Sequence, residues 1–307
     1  MWICGVNMDN NYLCSYSITN SNYDQFANSK YTYSDMGYIY TIIKKKILKN
    51  EKVLFIGLPC QVAAMKQYID LYKLNRDLLI LVDLVCHGVT PQDYLKTHIE
   101  NICKKKKKNA TEVFFRDPSF NTYTYTFTLK NNGIPFYKKK VYRNDIYQIG
   151  YHKGIAYREN CYHCRFSNKQ RQGDLTLSDF AGVGKYKKCD YDNKNVSCVL
   201  VNTKKGYNFY QSLLLENRIY SEIRPIEEEY DFESRLHTPT PIPKERNKFK
   251  KMYEKSSNFD YSMLYAAKGI VIKNELKYYL NINGINSFLS RLLPNSIKER
   301  IKVILRK

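Results

Sequence analysis

Two short apolar runs constrain the fold of this 307-residue chain more than any other feature. Residues 53–56 lack polar alternation, which is typical of a parallel strand covered on both faces, and residues 78–85 form a second apolar run. A helix is predicted between them, from Gln61 to about Tyr68. A strand, a helix and a strand form a βαβ unit with a right-handed crossover, so both strands should end at one edge of the sheet. The sequence therefore predicts an α/β fold.

Further elements surround this βαβ core. Alternating Tyr, Thr and Phe over residues 122–130 indicate an antiparallel strand, and Asn131-Asn132-Gly133 is typical of a hairpin turn. We expect a mixed sheet with an antiparallel section, one domain over residues 1–237, and a helical basic C-terminal tail over residues 238–307. That tail opens with a Pro-rich linker and ends in an amphipathic helix from about Ser296. Other predicted strands cover residues 2–7, 12–18, 113–116, 174–178 and 197–202, and other helices cover residues 34–50, 91–103 and 206–217.

The cysteine pattern indicates a metal centre. Cys161-Tyr-His-Cys164 places two thiolates where one turn of backbone can bind a single centre. A structural zinc ion or a 4Fe–4S cluster usually has four thiolate ligands. Cys60 and Cys86 each follow an apolar run, and they are the candidates for the other two ligands. Three interpretations of these cysteines are possible: a zinc site, an iron–sulfur cluster and a chance spacing. Zinc sites usually offer a second Cys-x-x-Cys or a His pair, which this sequence lacks, so scattered single cysteines favour a cluster.

The charge balance is strongly basic, with 50 Lys and Arg against 29 Asp and Glu and a net charge of +21. The chain is rich in amino acids that A/T-rich codons encode, and such a bias explains most of the excess positive charge. Solvated surface lysines are therefore a better interpretation than a dedicated polyanion site. The lysine run at 104–108 lacks interleaved aromatic residues, so no specific nucleic-acid partner is expected. A basic nucleic-acid or membrane-surface protein, using that run or the C-terminal helix, is the alternative hypothesis.

Neither a signal peptide nor an apolar run of roughly 20 residues is visible, so no transmembrane segment is predicted. We expect a cytoplasmic protein whose nine cysteines are mostly reduced and available as metal ligands.

Possible anion-binding groups lie near the first strand end. The turn from Gly57 to Cys60 precedes a helix and could hold an anion with its backbone N–H groups. It is neither a P-loop nor a Gly-x-Gly-x-x-Gly motif, so nucleotide binding of those two types is not indicated. Lys30, Arg116 and Arg171 could hold phosphates or an anionic flavin, although a solvated charge is the commoner role of such residues.

Several motifs occur together in a fixed order. They are Ser29-Lys30-Tyr31, Gly57-Leu-Pro-Cys60-Gln61, Asp83-Leu-Val-Cys86-His87-Gly88, Phe115-Arg116-Asp117, Cys161-Tyr-His-Cys164 and Asp174-Leu-Thr-Leu-Ser-Asp179-Phe180. Over about residues 2–184, and again at residues 243–249, the sequence resembles the beta subunit family of coenzyme F-420 hydrogenases and dehydrogenases.

The resemblance implies an oxidoreductase that carries FAD and one 4Fe–4S cluster. Such a protein passes electrons between a reduced carrier (a deazaflavin, ferredoxin or similar) and an acceptor, and coenzyme F-420 itself is one candidate carrier. On the family's recurrent positions, Lys30 and His87 are the candidate catalytic residues. The cluster ligands implied are Cys60, Cys86, Cys161 and Cys164. The flavin-site residues implied are Ser29, Lys30, Gly57, Pro59, Gln61, His87, Gly88 and Asp179.

The sequence also departs from the family pattern. Leu58 replaces the usual Thr, Ser178 the usual Gly and Ala181 the usual Trp, which leaves the acceptor unidentified. In the family, a ferredoxin-like module often precedes this region, and this sequence has no counterpart of it. We therefore expect either that a partner subunit or an electron carrier supplies the electrons, or that the sequence is truncated. The alternative function is a metal-stabilised, non-catalytic accessory protein in polysaccharide biosynthesis.

Overall fold

A computed structural model describes residues 1–120, 124–191 and 196–279. The amphipathic helix predicted from about Ser296 lies outside the described residues, as do residues 122–123 of the predicted antiparallel strand. The strands are β1 (Trp2–Met8), β2 (Cys14–Thr19), β3 (Val53–Gly57), β4 (Leu79–Leu84), β5 (Glu112–Phe114), β6 (Phe127–Asn131), β7 (Ile134–Lys139), β8 (Leu175–Asp179) and β9 (Ser197–Val201). The helices are α1 (Ile39–Leu48), α2 (Pro59–Leu71), α3 (Gln92–Lys106), α4 (Ile146–His152), α5 (Lys204–Leu215), α6 (Glu227–Tyr230), α7 (Arg246–Ser256), α8 (Phe259–Ala266) and α9 (Lys268–Tyr279).

The chain divides into two compact units, residues 1–96 with 157–242 and residues 97–156 with 243–307. These bounds differ from the predicted division into a domain of residues 1–237 and a linker with a helical tail over residues 238–307, and that division stays a prediction. None of the helices in the described part of the chain is both long enough and apolar enough to span a membrane.

The first unit contains a six-stranded mixed sheet in the order β2-β1-β3-β4-β8-β9, which confirms the predicted α/β class. Strands β1, β3, β4 and β8 are parallel, and β2 and β9 pair antiparallel at the two edges. The predicted βαβ unit is β3-α2-β4, in which Gly57 pairs with Asp83. Because β3 and β4 are parallel neighbours, their C-terminal ends lie at the same edge of the sheet.

Helices α1 and α2 pack on the apolar core of this sheet. Ile39, Ile43 and Ile47 recur every four residues along α1 and are all buried, so one stripe of the helix faces the core. The predicted start of α1 near Ser34 was too early. The Asp35 N–H donates to the Cys14 carbonyl at 2.9 Å, and Asp35 forms a bridge with Ser15, so this segment extends the sheet instead of entering the helix.

The second unit contains a three-stranded antiparallel sheet, β5-β6-β7, together with the helices of residues 243–279. The predicted hairpin turn is confirmed, since β6 and β7 flank Asn132 and Gly133. The large fully buried side chains of this unit are aromatic: Phe115, Phe127, Tyr147, Phe249 and Phe259.

A charged histidine lies among these rings. The ring of His98 stacks near Tyr147, with centroids 5.8 Å apart, and its Nδ1 and Nε2 atoms lie 2.7 Å from Asp260 and 3.2 Å from Asp145. The Tyr137 hydroxyl donates to the same Asp145 oxygen at 2.9 Å. Burial alone would lower the pKa of His98, but Asp145 and Asp260 outweigh it and raise the pKa from 6.5 to about 10. The second unit therefore has a buried imidazolium as a structural element.

Candidate functional site

The candidate site lies at the C-terminal edge of the parallel strands in the first unit. Strand β3 ends at Gly57, three residues before Cys60, and strand β4 ends at Leu84, two residues before Cys86. Strand β8 ends at Asp179 on the same edge. Ligands of open α/β sheets bind at this edge. The topology thus brings the two single cysteines to neighbouring strand ends, as the sequence predicted.

Cys60 occupies the first turn of α2. The helix begins at Pro59, a residue that is well suited to the first helical position because its missing N–H is not needed there. Burial raises the pKa of the Cys60 thiol although the residue is exposed overall, while the backbone N–H groups of Gln61 and Cys60 itself act in the opposite direction. These N–H groups at the start of the helix offset part of the effect of burial, and the pKa of the thiol stays above its usual value.

The Gln61 side chain has a structural role. Its Oε1 accepts from the Leu58 N–H at 3.0 Å and from the Tyr16 hydroxyl at 2.8 Å, and its Nε2 donates to the Ser34 carbonyl at 3.3 Å. The amide thus holds the turn that presents Cys60. Its assignment to a flavin stays a prediction.

Cys161 and Cys164 belong to a single turn of chain. Cys161 lies in a 3₁₀ helix, Glu159–His163, and Cys164 ends it. The Val89 carbonyl accepts from the Arg158 N–H at 2.9 Å and from the Cys161 thiol at 4.0 Å. Since Val89 lies three residues after Cys86, these bonds join the Cys-x-x-Cys turn to the segment that follows β4.

The four cysteines are electrostatic neighbours. Burial, together with the negative charges of Cys161, Cys60 and Cys164, raises the pKa of the half-buried Cys86 to about 12. The Gly88 N–H faces the Cys86 sulfur and acts the other way. Cys164 and Cys161 likewise raise the pKa of Cys60. We call Cys60, Cys86, Cys161 and Cys164 the cysteine edge.

A fourth segment adjoins the cysteine edge. The Tyr33 N–H and the Thr32 hydroxyl both donate to the Thr90 carbonyl, at 2.9 and 3.3 Å, and the Thr90 hydroxyl donates to the Tyr31 carbonyl at 3.2 Å. The guanidinium of Arg158 lies 3.9 Å from the centre of the Tyr33 ring. The loop that carries Ser29 and Lys30 is therefore bonded, through residues 31–33, to the loop that carries Cys86.

The ammonium group of Lys30 is already engaged. Its Nζ donates to the carbonyls of Phe26 and Ala27, at 3.1 and 2.5 Å. Burial lowers the pKa of Lys30, and the nearby Cys14 opposes that shift. Lys30 thus closes its own loop in this structure, and its predicted catalytic role stays a prediction.

His87, the neighbour of Cys86, is accessible to solvent, with 54% of its side chain exposed. Its Nε2 lies 3.7 Å from Glu233, and its carbonyl accepts from the Thr240 hydroxyl at 2.5 Å. The adjacent Gly88 has φ +125°, and an added Cβ would lie 2.4 Å from the Tyr157 ring. Only glycine fits there, because both the backbone conformation and the space exclude a side chain.

Arg171 is a positioning residue whose role the sequence did not reveal. The sequence suggests it as an anion ligand, but its side chain is 2% exposed and lies 3.3 Å from the fully buried Asp83 in β4. It also donates to the carbonyls of Leu84, Phe166 and Asn168, at 3.1, 3.2 and 3.2 Å. These bonds fix the segment after Cys164 against the end of β4. No local sequence pattern distinguishes such an arginine from a solvated one.

Glu229 is a buried carboxyl group close to Glu233, Asp179 and the thiol of Cys198. It is 1% exposed, and neither of its oxygens has a hydrogen-bond partner of good geometry among the described residues. Burial, together with the charges of Glu233 and Asp179, raises the pKa of Glu229 to about 7. The Ser178 hydroxyl and the Cys198 thiol oppose this shift, although the Ser178 hydroxyl also donates to the Asp179 carbonyl at 2.9 Å. In the sequence, Glu229 belongs to a run of three glutamates that is typical of a solvated surface.

We expect Glu229 to make the stability of the chain fall as pH rises. The native state keeps this proton up to about pH 7, whereas the unfolded state releases it near 4.5, so the free energy of unfolding declines between these values. The decline should approach about 2–3 kcal/mol. Urea unfolding of the wild type and Glu229→Gln at about pH 5 and pH 8 measures it. The glutamine keeps the shape without the proton, so the variant should gain stability relative to the wild type at the higher pH. Parallel pH dependence in the two proteins would contradict this account.

The cysteine edge has the donor set of an iron–sulfur centre. Among the described residues, no three His, Cys, Asp or Glu side chains are close enough together to bind a single metal ion. A 4Fe–4S cube carries one thiolate on each of four irons, so its ligands lie farther apart than those of one ion. Four mutually interacting thiols with facing N–H groups fit such a cluster.

Known proteins share parts of this sequence and fold. A family model for the C terminus of the beta subunit of coenzyme F420 hydrogenase/dehydrogenase matches residues 50–229, more than half of the chain. A chain of the F420-reducing NiFe hydrogenase complex from Methanosarcina barkeri is structurally similar, with a TM-score of 0.47 and 15% sequence identity, over 89% of this chain and 77% of that one. No curated protein matches the sequence.

Proposed function

The chain belongs to the coenzyme F420 hydrogenase/dehydrogenase beta subunit family, and from this premise we propose that it is an iron–sulfur flavoprotein oxidoreductase. Cys60, Cys86, Cys161 and Cys164 hold one 4Fe–4S cluster, and FAD binds beside it. The observation that carries the proposal is the convergence of these four thiols from three separate segments at one sheet edge. A bound cluster transfers single electrons and a bound flavin exchanges a two-electron hydride, which is why these two groups serve one reaction.

The protein supplies binding and orientation at the cysteine edge. The N–H groups of Gln61 and Gly88 face the sulfurs of Cys60 and Cys86, and hydrogen bonds to ligand sulfurs are one means of tuning a cluster's potential. The buried rings of Tyr157 and Tyr162, with centroids 6.1 Å apart, adjoin Cys161 and exclude water on that side. His87 holds an exposed ring nitrogen near Glu233, so a proton can pass between that nitrogen and solvent.

The flavin site is the less constrained part of the proposal. Ser29 and Lys30 lie in the loop that residues 31–33 bond to the Cys86 segment, which supports a flavin next to the cysteine edge. Gly57 is buried and closely packed, because an added Cβ would lie 2.6 Å from the Tyr16 hydroxyl. The first N–H groups of α2 face the Cys60 sulfur, so a flavin pyrophosphate would need other donors. Pro59, Gln61, Gly88 and Asp179 complete the proposed set at the same edge.

Electrons would pass between a reduced carrier, such as a deazaflavin or a ferredoxin, and an acceptor in the cytoplasm. Coenzyme F420 is the carrier that the family description suggests. A partner protein or a soluble carrier is expected to exchange electrons with the exposed side of the cysteine edge, where Cys60 and His87 reach solvent.

Substitution of single cysteines tests the ligand assignment. Cys86→Ser and Cys161→Ser are expected to lose most of the bound iron, because a serine hydroxyl replaces the soft thiolate ligand. Cys189→Ser is the matched control, since Cys189 is also half-buried in the first unit but is not a proposed ligand. The measurement is iron per chain after anaerobic purification, with circular dichroism to confirm that each variant is folded. Wild-type iron in folded Cys86→Ser and Cys161→Ser would reject the assignment.

A further inference from the structure

A pocket of about 440 Å³ lies in the second unit, among residues that the proposed redox function does not use. This is within the usual range of small-molecule sites, roughly 300–1,000 Å³. Four cationic and two aromatic side chains define it, and we call it the basic pocket. These side chains are Phe120, Lys138, Lys139, Lys140, Arg143 and Tyr278.

The cations of the basic pocket come from one short segment. Strand β7 ends with Lys138 and Lys139, and the chain then turns through Lys140 into a 3₁₀ helix, Val141–Arg143. Asn144, in the left-handed conformation, ends that helix. The tight turn places four positive charges from six consecutive residues around a single cavity.

Aromatic rings hold two of these cations in place. The guanidinium of Arg143 lies 3.0 Å from the centre of the Tyr278 ring, and the ammonium of Lys138 lies 4.7 Å from the centre of the Phe120 ring. A cation over a ring face is stabilised without losing its charge. Both cationic groups therefore lie over aromatic ring faces at the pocket.

Three of the four cations of the basic pocket lack an anionic partner in the described part of the chain. Within the ranges that the structure describes, Lys138, Lys139 and Arg143 have no carboxylate at ion-pair distance. Lys139 donates to the Asn144 carbonyl at 3.5 Å, and its ammonium lies 5.9 Å from the centre of the Tyr137 ring. The Nη1 atom of Arg143 is buried, and among the described residues it has no hydrogen-bond acceptor. A buried donor without an acceptor is costly, and an anion that accepts a hydrogen bond from Nη1 would remove this cost.

We propose that the basic pocket binds a small molecule of nucleotide size that carries a diphosphate group. A diphosphate brings several negative charges and many acceptor oxygens, which match four clustered cations better than one carboxylate does. The aromatic walls give a ring attached to that diphosphate a surface to contact. A long nucleic acid fits less well, because the cations surround one compact cavity and do not follow a groove.

Titration calorimetry with ADP, inorganic pyrophosphate and adenosine tests this site on the full chain. ADP and pyrophosphate should bind and adenosine should not. Arg143→Gln should weaken ADP binding about 10- to 100-fold, the range that corresponds to one lost charge-assisted hydrogen bond. Lys138→Gln provides a second variant, since Lys138 is exposed and its replacement should not disturb folding. It should weaken ADP binding about tenfold.

Lys106→Gln is the matched control, because it removes one positive charge from the last turn of α3 in the same unit. Its ADP affinity should equal that of the wild type. The proposal is overturned if ADP and pyrophosphate fail to bind below about 1 mM at low salt, or if Lys106→Gln weakens binding as much as Arg143→Gln. It is also overturned if a single-stranded oligonucleotide competes more strongly than ADP at equal phosphate concentration. Iron content should be the same in all three variants, so this result is independent of the cysteine edge.

Discussion

Replacing Arg171 by methionine is expected to lower the free energy of unfolding by about 3–5 kcal/mol, the usual effect of breaking a buried ion pair from one side. Methionine keeps much of the length of the side chain but leaves the fully buried Asp83 carboxylate without its cation. It also leaves the carbonyls of Leu84, Phe166 and Asn168 without their shared donor. Urea unfolding followed by circular dichroism measures the loss.

Two further variants isolate the cause. Arg218→Met removes an exposed arginine from an ion pair with Glu216, 3.6 Å away, and should change stability by about 0.5 kcal/mol or less. Arg171→Met combined with Asp83→Asn should be more stable than Arg171→Met alone, since the orphaned charge is then gone. Equal effects of Arg171→Met and Arg218→Met would contradict the role assigned to Arg171.

Replacing His98 by phenylalanine is expected to cost a similar amount, about 3–5 kcal/mol, in the second unit. Phenylalanine fits among the rings of Phe127 and Tyr147 but leaves the fully buried Asp145 without a cation. Burial would raise the pKa of Asp145, and His98 is the main group that outweighs burial and lowers it. His98→Phe with Asp145→Asn should therefore recover part of the loss.

The effect of His98 should depend on pH in a defined direction. Because folding raises its pKa from 6.5 to about 10, its stabilisation is complete below 6.5 and is lost as pH rises toward 10. The stability difference between the wild type and His98→Phe should therefore shrink between about pH 6 and pH 9. A stability difference that stays constant over this pH range would show that the charge of the His98 imidazolium does not stabilise the fold.

The sequence predicted the fold where apolar patterning was strong. The runs at 53–56 and 78–85 became adjacent parallel strands, and this adjacency is what brings Cys60 and Cys86 to one sheet edge. Helix bounds were less accurate, because tertiary contacts decide them: Asp35 pairs with β2, so α1 begins only at Ile39.

The remaining site contacts depend on long-range partners that no local pattern shows. Arg171 and Glu229 occur in polar stretches, yet Arg171 pairs with Asp83, 88 positions earlier, and Glu229 is buried beside Cys198, 31 positions earlier. The Cys-x-x-Cys turn is joined to the Cys86 segment through the Val89 carbonyl, 72 residues away from Cys161. Spacing in the sequence identified the cysteines, but only the fold shows what holds them in place.

The most direct test of the proposed function is the cofactor content of the wild-type chain purified without oxygen. Iron, acid-labile sulfide, zinc and flavin are measured per chain, together with the visible spectrum. The account predicts about four irons with matching sulfide and one flavin, and a spectrum that bleaches on reduction. Zinc or no metal, in a chain without flavin, would contradict it and leave the cysteine edge a purely structural feature.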